Sequence, residues 1–220
     1  MGAGRRQLAK YDESDDMDPL IDRREYSGLA SCTYLNQASH GLIPRVSLEA
    51  SVRFLTDIAQ HGNLRLSDQA EAEILDTLRA AAAELLGAPV ASVAVVGGAS
   101  EGLGQLATML SGPDGEVILV PSDFPSVTYP WLAAHERSGM RIRWVPDVAA
   151  KDLTQSLVAA ISERTTVSCV SAVQSSTGTQ VDIAALAAHA RRAGARVVAD
   201  VTQMAGAVPV TVTEIGRAHV

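Results

Sequence analysis

Glu116–Pro146 reads EVILVPSDFPSVTYPWLAAHERSGMRIRWVP. EVILVP is an uninterrupted apolar run too short for a helix, and RIRWVP closes the stretch with a second short run. Between them, Val127–Ser138 carries its apolar residues at helical spacing. An apolar strand without polar alternation has no solvent face, so both of its sides must be covered. The stretch therefore predicts strand, helix, parallel strand.

The same grammar extends outward in both directions. Short runs rich in β-branched residues are SVAVVGG (Ser92–Gly98), TTVSCVSAV (Thr165–Val173) and RVVAD (Arg196–Asp200). Helical spacing recurs at Val46–Gly62, Gln69–Pro89, about Ser100–Leu110, Leu153–Ser162 and Ile183–Ala193. Gly87 and Pro89 terminate the second of these. The predicted fold class is α/β, three layers, with a mostly parallel sheet between two layers of helices. Met1 to about Ser27 is polar and aperiodic and is expected to be a flexible arm. Residues 28–213 form the expected domain.

Composition sets limits on function. The 220 residues are 47% hydrophobic and 20% charged, the balance of a globular chain. Aromatics are only 4%, so the core must be built from Val, Leu, Ile and Ala. A net charge of −7 without a basic stripe argues against nucleic acid and against anionic membrane surfaces. No apolar run reaches a membrane span. Arg5–Arg6 is followed by acidic rather than apolar sequence, which argues against export and for a cytoplasmic location. Cys32 and Cys169 are far apart and lack metal-ligand spacing, so two free buried thiols and no metal are expected.

In a parallel sheet, ligands bind beyond the carboxyl ends of the strands. The loops to inspect are Gly97–Glu101, Pro121–Ser126, Gln174–Gly178 and Asp200–Gln203. In GGASEG, Ser100 stands at a helix start behind two glycines, where free N–H groups suit an anion. A plain strand–helix turn with a Ser cap is the other reading. The glycines match neither a P-loop nor a dinucleotide fingerprint. Asp200 ends an apolar strand, a position that calls for a cation or strong donors, such as a protonated ring nitrogen of a ligand. It would equally serve as a cap accepting the N–H of Thr202 or Gln203. Phe124 suits either stacking on a flat ring or core packing.

Together YLNQASHG, GGASEG, DFPSVTYPW, VQSSTGTQVDI and VVADVTQMAGAVPV resemble the class V aminotransferases, fold-type I pyridoxal-phosphate enzymes that include cysteine desulfurases and isopenicillin-epimerase-like proteins. The resemblance runs from about Tyr34 to Val212. It implies pyridoxal 5′-phosphate as cofactor, an amino-acid substrate, transferase or lyase chemistry and a homodimer. It also implies a cofactor site made of Ala99, Ser100, Phe124, Ser175, Asp200 and Gln203. Asp200 would pair with the ring nitrogen and Gln203 with the ring oxygen, while Ala99 and Ser100 would hold the phosphate. Phe124 falls where many members place a stacking histidine, and Ser175 where desulfurases carry asparagine. His40 would face substrate, the other reading being an ordinary loop residue.

The lysine that the family bonds to its cofactor has no counterpart at the matching motifs. Lys10 lies in the acidic arm and Lys151 opens a surface-like helix. By the resemblance that lysine falls beyond Val220, so no catalytic residue is assigned and the chain reads as the front part of an enzyme, incomplete at its C-terminus. Glu214–Val220, EIGRAHV, matches one frame of a common sequencing adapter and is expected to be a non-native tail. The competing reading is a non-catalytic α/β module that binds a phosphorylated ligand.

Overall fold

The computed structural model describes residues 22–146 and 153–212. Lys10, Lys151, the tail Glu214–Val220 and most of the expected arm lie outside the described residues. The chain divides into two units, Met1–Leu66 and Ser67–Val220.

In the first unit, short 3-10 turns at Arg23–Glu25 and Ser27–Ala30 precede helix α1, Arg45–His61. Pro44 stands at its N-cap, and Gly62 ends it at φ 58°, donating its N–H to the Ile58 carbonyl at 2.7 Å. That φ is open to glycine and costly for other residues. Arg45 reaches Glu25 at 2.8 Å and Glu49 at 3.2 Å, both at the surface.

The second unit holds the sheet. Its strands are β1 (Glu116–Leu119), β2 (Arg141–Trp144), β3 (Thr165–Ser171) and β4 (Arg196–Asp200). They are ordered β2-β1-β3-β4, and every pairing is parallel. The helices are α2 (Asp68–Glu73), α3 (Asp76–Leu86), α4 (Ala99–Leu110), α5 (Pro125–Ser138), α6 (Leu153–Ala160) and α7 (Ile183–Arg192). Successive strand residues face opposite sides. Val117, Leu119, Val167, Cys169 and Val198 pack under α4 and α5, with Trp131 and Ala107 fully buried among them. Ile118, Val120, Val170 and Ala172 pack against Leu157 of α6 and Leu186 of α7. The three-layer α/β/α arrangement read from the uninterrupted apolar runs is the one observed. Each fully buried Val, Leu or Ile here contributes about 1.5–3 kcal/mol relative to exposure.

Two expected elements differ. Ser92–Gly98 is not a strand: Val90–Ser92 is a 3-10 turn, and 93–96 run without a sheet ladder. Val96 remains 40% exposed. β-branched composition favours an extended chain, but a strand exists only where another strand takes up its N–H and C=O groups. The helix expected over Gln69–Pro89 is broken at Ile74–Leu75 into α2 and α3. Its expected end holds: Gly87 adopts φ 59°, its N–H bonds the Glu84 carbonyl, and Ala88 N–H bonds the Ala83 carbonyl. This is a Schellman closure.

Candidate functional site

Helix α5 links the parallel strands β1 and β2, so it runs back against them and starts at the edge where β1 ends, and the first turn of α4 meets it there. Gly98, the N-cap of α4, has an extended backbone, and its carbonyl accepts from Glu101 N–H at 3.1 Å and Gly102 N–H at 3.2 Å. The Glu101 carboxylate reaches back to accept Gly97 N–H at 2.8 Å. The first-turn N–H groups of Ala99 and Ser100 have no acceptor within the helix and lie at its positive end. Nothing stands within 4 Å of where a Cβ on Gly98 would project. The Ser100 and Ser126 hydroxyls are 2.7 Å apart, which joins the first turn of α4 to the first turn of α5.

Asp200 closes β4 in register with Ser171 of β3, and its carbonyl accepts Ala172 N–H at 2.8 Å. Two residues before it, Val198 faces the α4–α5 layer, so the period of two puts Asp200 on that face as well. Its carboxylate accepts Thr202 N–H at 2.8 Å. That is the N–H named by the capping alternative, yet residues 202–204 form a turn and not a helix. A cavity of about 450 Å³ runs along β4, and Ala99, Gly102, Asp200 and Thr202 all line it. Two of the six expected cofactor residues, one for the phosphate end and one for the ring end, thus open onto one space.

Phe124 is the N-cap of α5 and is 50% exposed, so the core-packing reading of its ring does not hold. Ser175 is exposed on the turn 174–178, which closes through Gln174 N–H to Thr179 carbonyl at 2.9 Å and Gly178 N–H to Gln174 carbonyl at 2.8 Å. Gln203 is partly exposed in the turn after β4. His40 lies in the other unit, exposed at the end of a turn, with its N–H bonded to the Asn36 carbonyl at 3.2 Å.

One group escaped the sequence reading. Asp123 precedes Phe124, is buried, and its carboxylate accepts from Phe124 N–H, Ser171 N–H, the Ser171 hydroxyl and the Gln174 amide. The signal available was the one that marked Asp200, an acid just past an apolar strand. Cys169 sits on β3 beneath this cluster, and burial pushes its thiol up to about 12, so it stays protonated and unreactive. Among the described residues no group of His, Cys, Asp or Glu side chains is placed to hold a metal ion, and no helix is long and apolar enough to cross a membrane.

Residues 33–217 match the family model described as aminotransferase class-V. The chain belongs to the class-V aminotransferase family. Among curated members it is 27% identical over 207 residues to a probable cysteine desulfurase of Streptomyces coelicolor, covering 88% of this chain and 49% of that protein. It is 30% identical over 135 residues to the uncharacterized aminotransferase YcbU of Bacillus subtilis, covering 61% of this chain and 36% of that one. Among solved structures it is similar to a mutant of C-DES with glycine covalently linked to its pyridoxal-phosphate cofactor. That likeness has a TM-score of 0.77 at 25% identity and covers 89% of this chain and 53% of the other. The chain spans about half the length of the Streptomyces coelicolor protein and of C-DES, and 36% of YcbU.

Proposed function

We propose that this chain is the cofactor-binding portion of a pyridoxal-phosphate enzyme that acts on an amino acid by transamination or a related C–N or C–S reaction. The observation that carries the reading is the joint placement of Ala99 and Asp200 on one cavity at the sheet's carboxyl edge. The donors and the acid there fit the group chemically. The Ala99 and Ser100 N–H groups and the Ser100 hydroxyl bind the phosphate, helped by the dipole of a twelve-residue helix. Asp200 accepts a proton-bearing ring nitrogen, and Gln203 donates to the ring oxygen. The half-exposed face of Phe124 is the stacking surface, and Ser175 borders the ring on the β3 side. When bound, the cofactor supplies the electron sink for bond cleavage next to the amino group, and Asp200 keeps that sink effective by holding the proton on the ring nitrogen.

Phe124 holds no proton to exchange, so chemistry that relies on an acid–base group stacked on the ring is not available from this residue. His40 belongs to the substrate side of the reading. No amine lies among the residues assigned to the site, so the 220-residue chain binds the cofactor without a covalent bond and turns over no substrate. The full-length protein is a cytoplasmic homodimer in this reading. Calorimetric titration with pyridoxal phosphate and with nucleotides tests the proposal. Pyridoxal phosphate should bind more tightly, and Asp200→Ala should weaken it about ten-fold or more, the loss of one charge-assisted hydrogen bond. A nucleotide preference insensitive to Asp200→Ala would instead support a non-catalytic module binding phosphorylated ligands.

A further inference from the structure

We propose that Asp123 is a positioning residue that presets the ring-binding half of the site. The inference rests on the cofactor reading above. Asp123 is only 6% exposed, yet among the described residues the hydrogen-bond partners of its carboxylate include no cation. Four neutral donors hold it instead. Phe124 N–H lies at 2.7 Å, Ser171 N–H at 2.8 Å, the Ser171 hydroxyl at 2.5 Å and Gln174 Nε2 at 3.1 Å. Gln174 Nε2 also donates to the Ser171 carbonyl at 3.2 Å, which ties the cluster to the strand end.

Burying a carboxylate costs free energy that apolar packing at the same place would not. What the charge supplies is geometry, because its two oxygens orient donors from three pieces of chain, Phe124, Ser171 and Gln174, the last two within one stretch. One donor belongs to Phe124. That residue's carbonyl accepts Val127 N–H at 2.8 Å, so its backbone is pinned on both sides while its ring stays half exposed. The backbone therefore fixes the direction of the Phe124 Cα–Cβ bond, from which the half-exposed ring projects. A second piece is Ser171, which stands opposite Asp200 in the β3–β4 register. The third is Gln174, which opens the turn bearing Ser175. One buried carboxylate thus connects the stacking ring, the strand opposite the ring-nitrogen acid and the Ser175 turn. None of its hydrogen bonds reaches Ala99 or Ser100 at the phosphate end.

Asp123→Asn tests this, because an amide presents one acceptor oxygen and turns an NH₂ toward the remaining donors. The 220-residue chain is titrated with pyridoxamine 5′-phosphate, which needs no lysine, and with glycerol phosphate, which has a phosphate and no ring. The ring-derived circular dichroism of bound pyridoxamine phosphate is recorded at equal occupancy. Asp123→Asn should weaken pyridoxamine phosphate about ten-fold, alter the ring signal, and leave glycerol phosphate within about two-fold. Gln174→Met, which keeps the acid and removes one donor, should shift the same readouts in the same direction and serves if Asp123→Asn does not fold. Unchanged ring affinity and signal, or equal weakening of both ligands, overturns the positioning role alone. Failure of the unsubstituted chain to bind pyridoxamine phosphate overturns the cofactor reading and this inference together.

Discussion

Ser100→Asp separates the stability of α4 from its use as an anion site. Ser100 is exposed in the first turn of α4, and its hydroxyl meets Ser126 at 2.7 Å. A carboxylate near a helix N-terminus gains about 0.3–1 kcal/mol from the helix dipole. Losing the hydroxyl contact costs about 0.5–1.5 kcal/mol. The two nearly cancel, so the urea midpoint should stay close to that of the parent. Ligand binding should respond differently. Two unit charges about 4 Å apart at an effective dielectric of about 20 repel by about 4 kcal/mol. Allowing half of that for solvent screening at an exposed turn leaves about 2 kcal/mol, or roughly thirty-fold in affinity. Ser100→Ala removes a donor without adding charge and should cost about ten-fold or less. Calorimetry with pyridoxamine phosphate at two salt concentrations measures both variants, and the Asp penalty should shrink as salt rises. Affinity within three-fold of the parent for Ser100→Asp would show that the phosphate does not sit on this helix.

Other outcomes follow from the same structure. Cys32, exposed and not buried as expected, should react with an alkylating reagent in the native chain, while Cys169 should react only on unfolding. Because burial raises the Cys169 thiol from 9.0 to about 12, its contribution to stability is complete below about pH 9 and is lost as pH rises toward 12. Cys169→Ala should flatten that part of the stability profile. Leu157→Ala empties a fully buried site beneath α6 and should cost about 2–5 kcal/mol, read from denaturant midpoints. Gly178→Ala forces a side chain onto φ 69° and should destabilise by about 1–2 kcal/mol, with altered ring affinity through the Ser175 turn.

The layers were legible because burial writes itself into composition. After Glu116, VILV has no polar side, and TTVSCV carries no charge and only small hydroxyls, so both runs call for helices on both faces. Val93–Val96 has the same composition and no sheet neighbour among the described residues, because residue type encodes an extended preference and not the presence of a pairing strand. The break at Ile74–Leu75 falls within a run of good helix formers, so local propensity gave no warning. At the site, Asp200 and Phe124 stood out as a lone acid at a strand end and a lone aromatic on a polar loop. Asp123 carried the same signature but sits beside Phe124, which drew the reading to the ring. Three of its four donors come from 48 and 51 residues downstream, beyond the reach of any local pattern. The Ser100–Ser126 contact was hidden for the same reason, its members being 26 positions apart.

The central claim is that the carboxyl edge of this sheet holds pyridoxal phosphate with its phosphate on α4 and its ring nitrogen on Asp200. A crystal structure of the chain with pyridoxamine phosphate tests it most directly. The expected result is a phosphate within hydrogen-bond distance of the Ala99 and Ser100 N–H groups, a ring against Phe124, and a ring nitrogen facing the Asp200 carboxylate. A ligand bound elsewhere, or one bound here with its ring turned away from Asp200, would contradict the account.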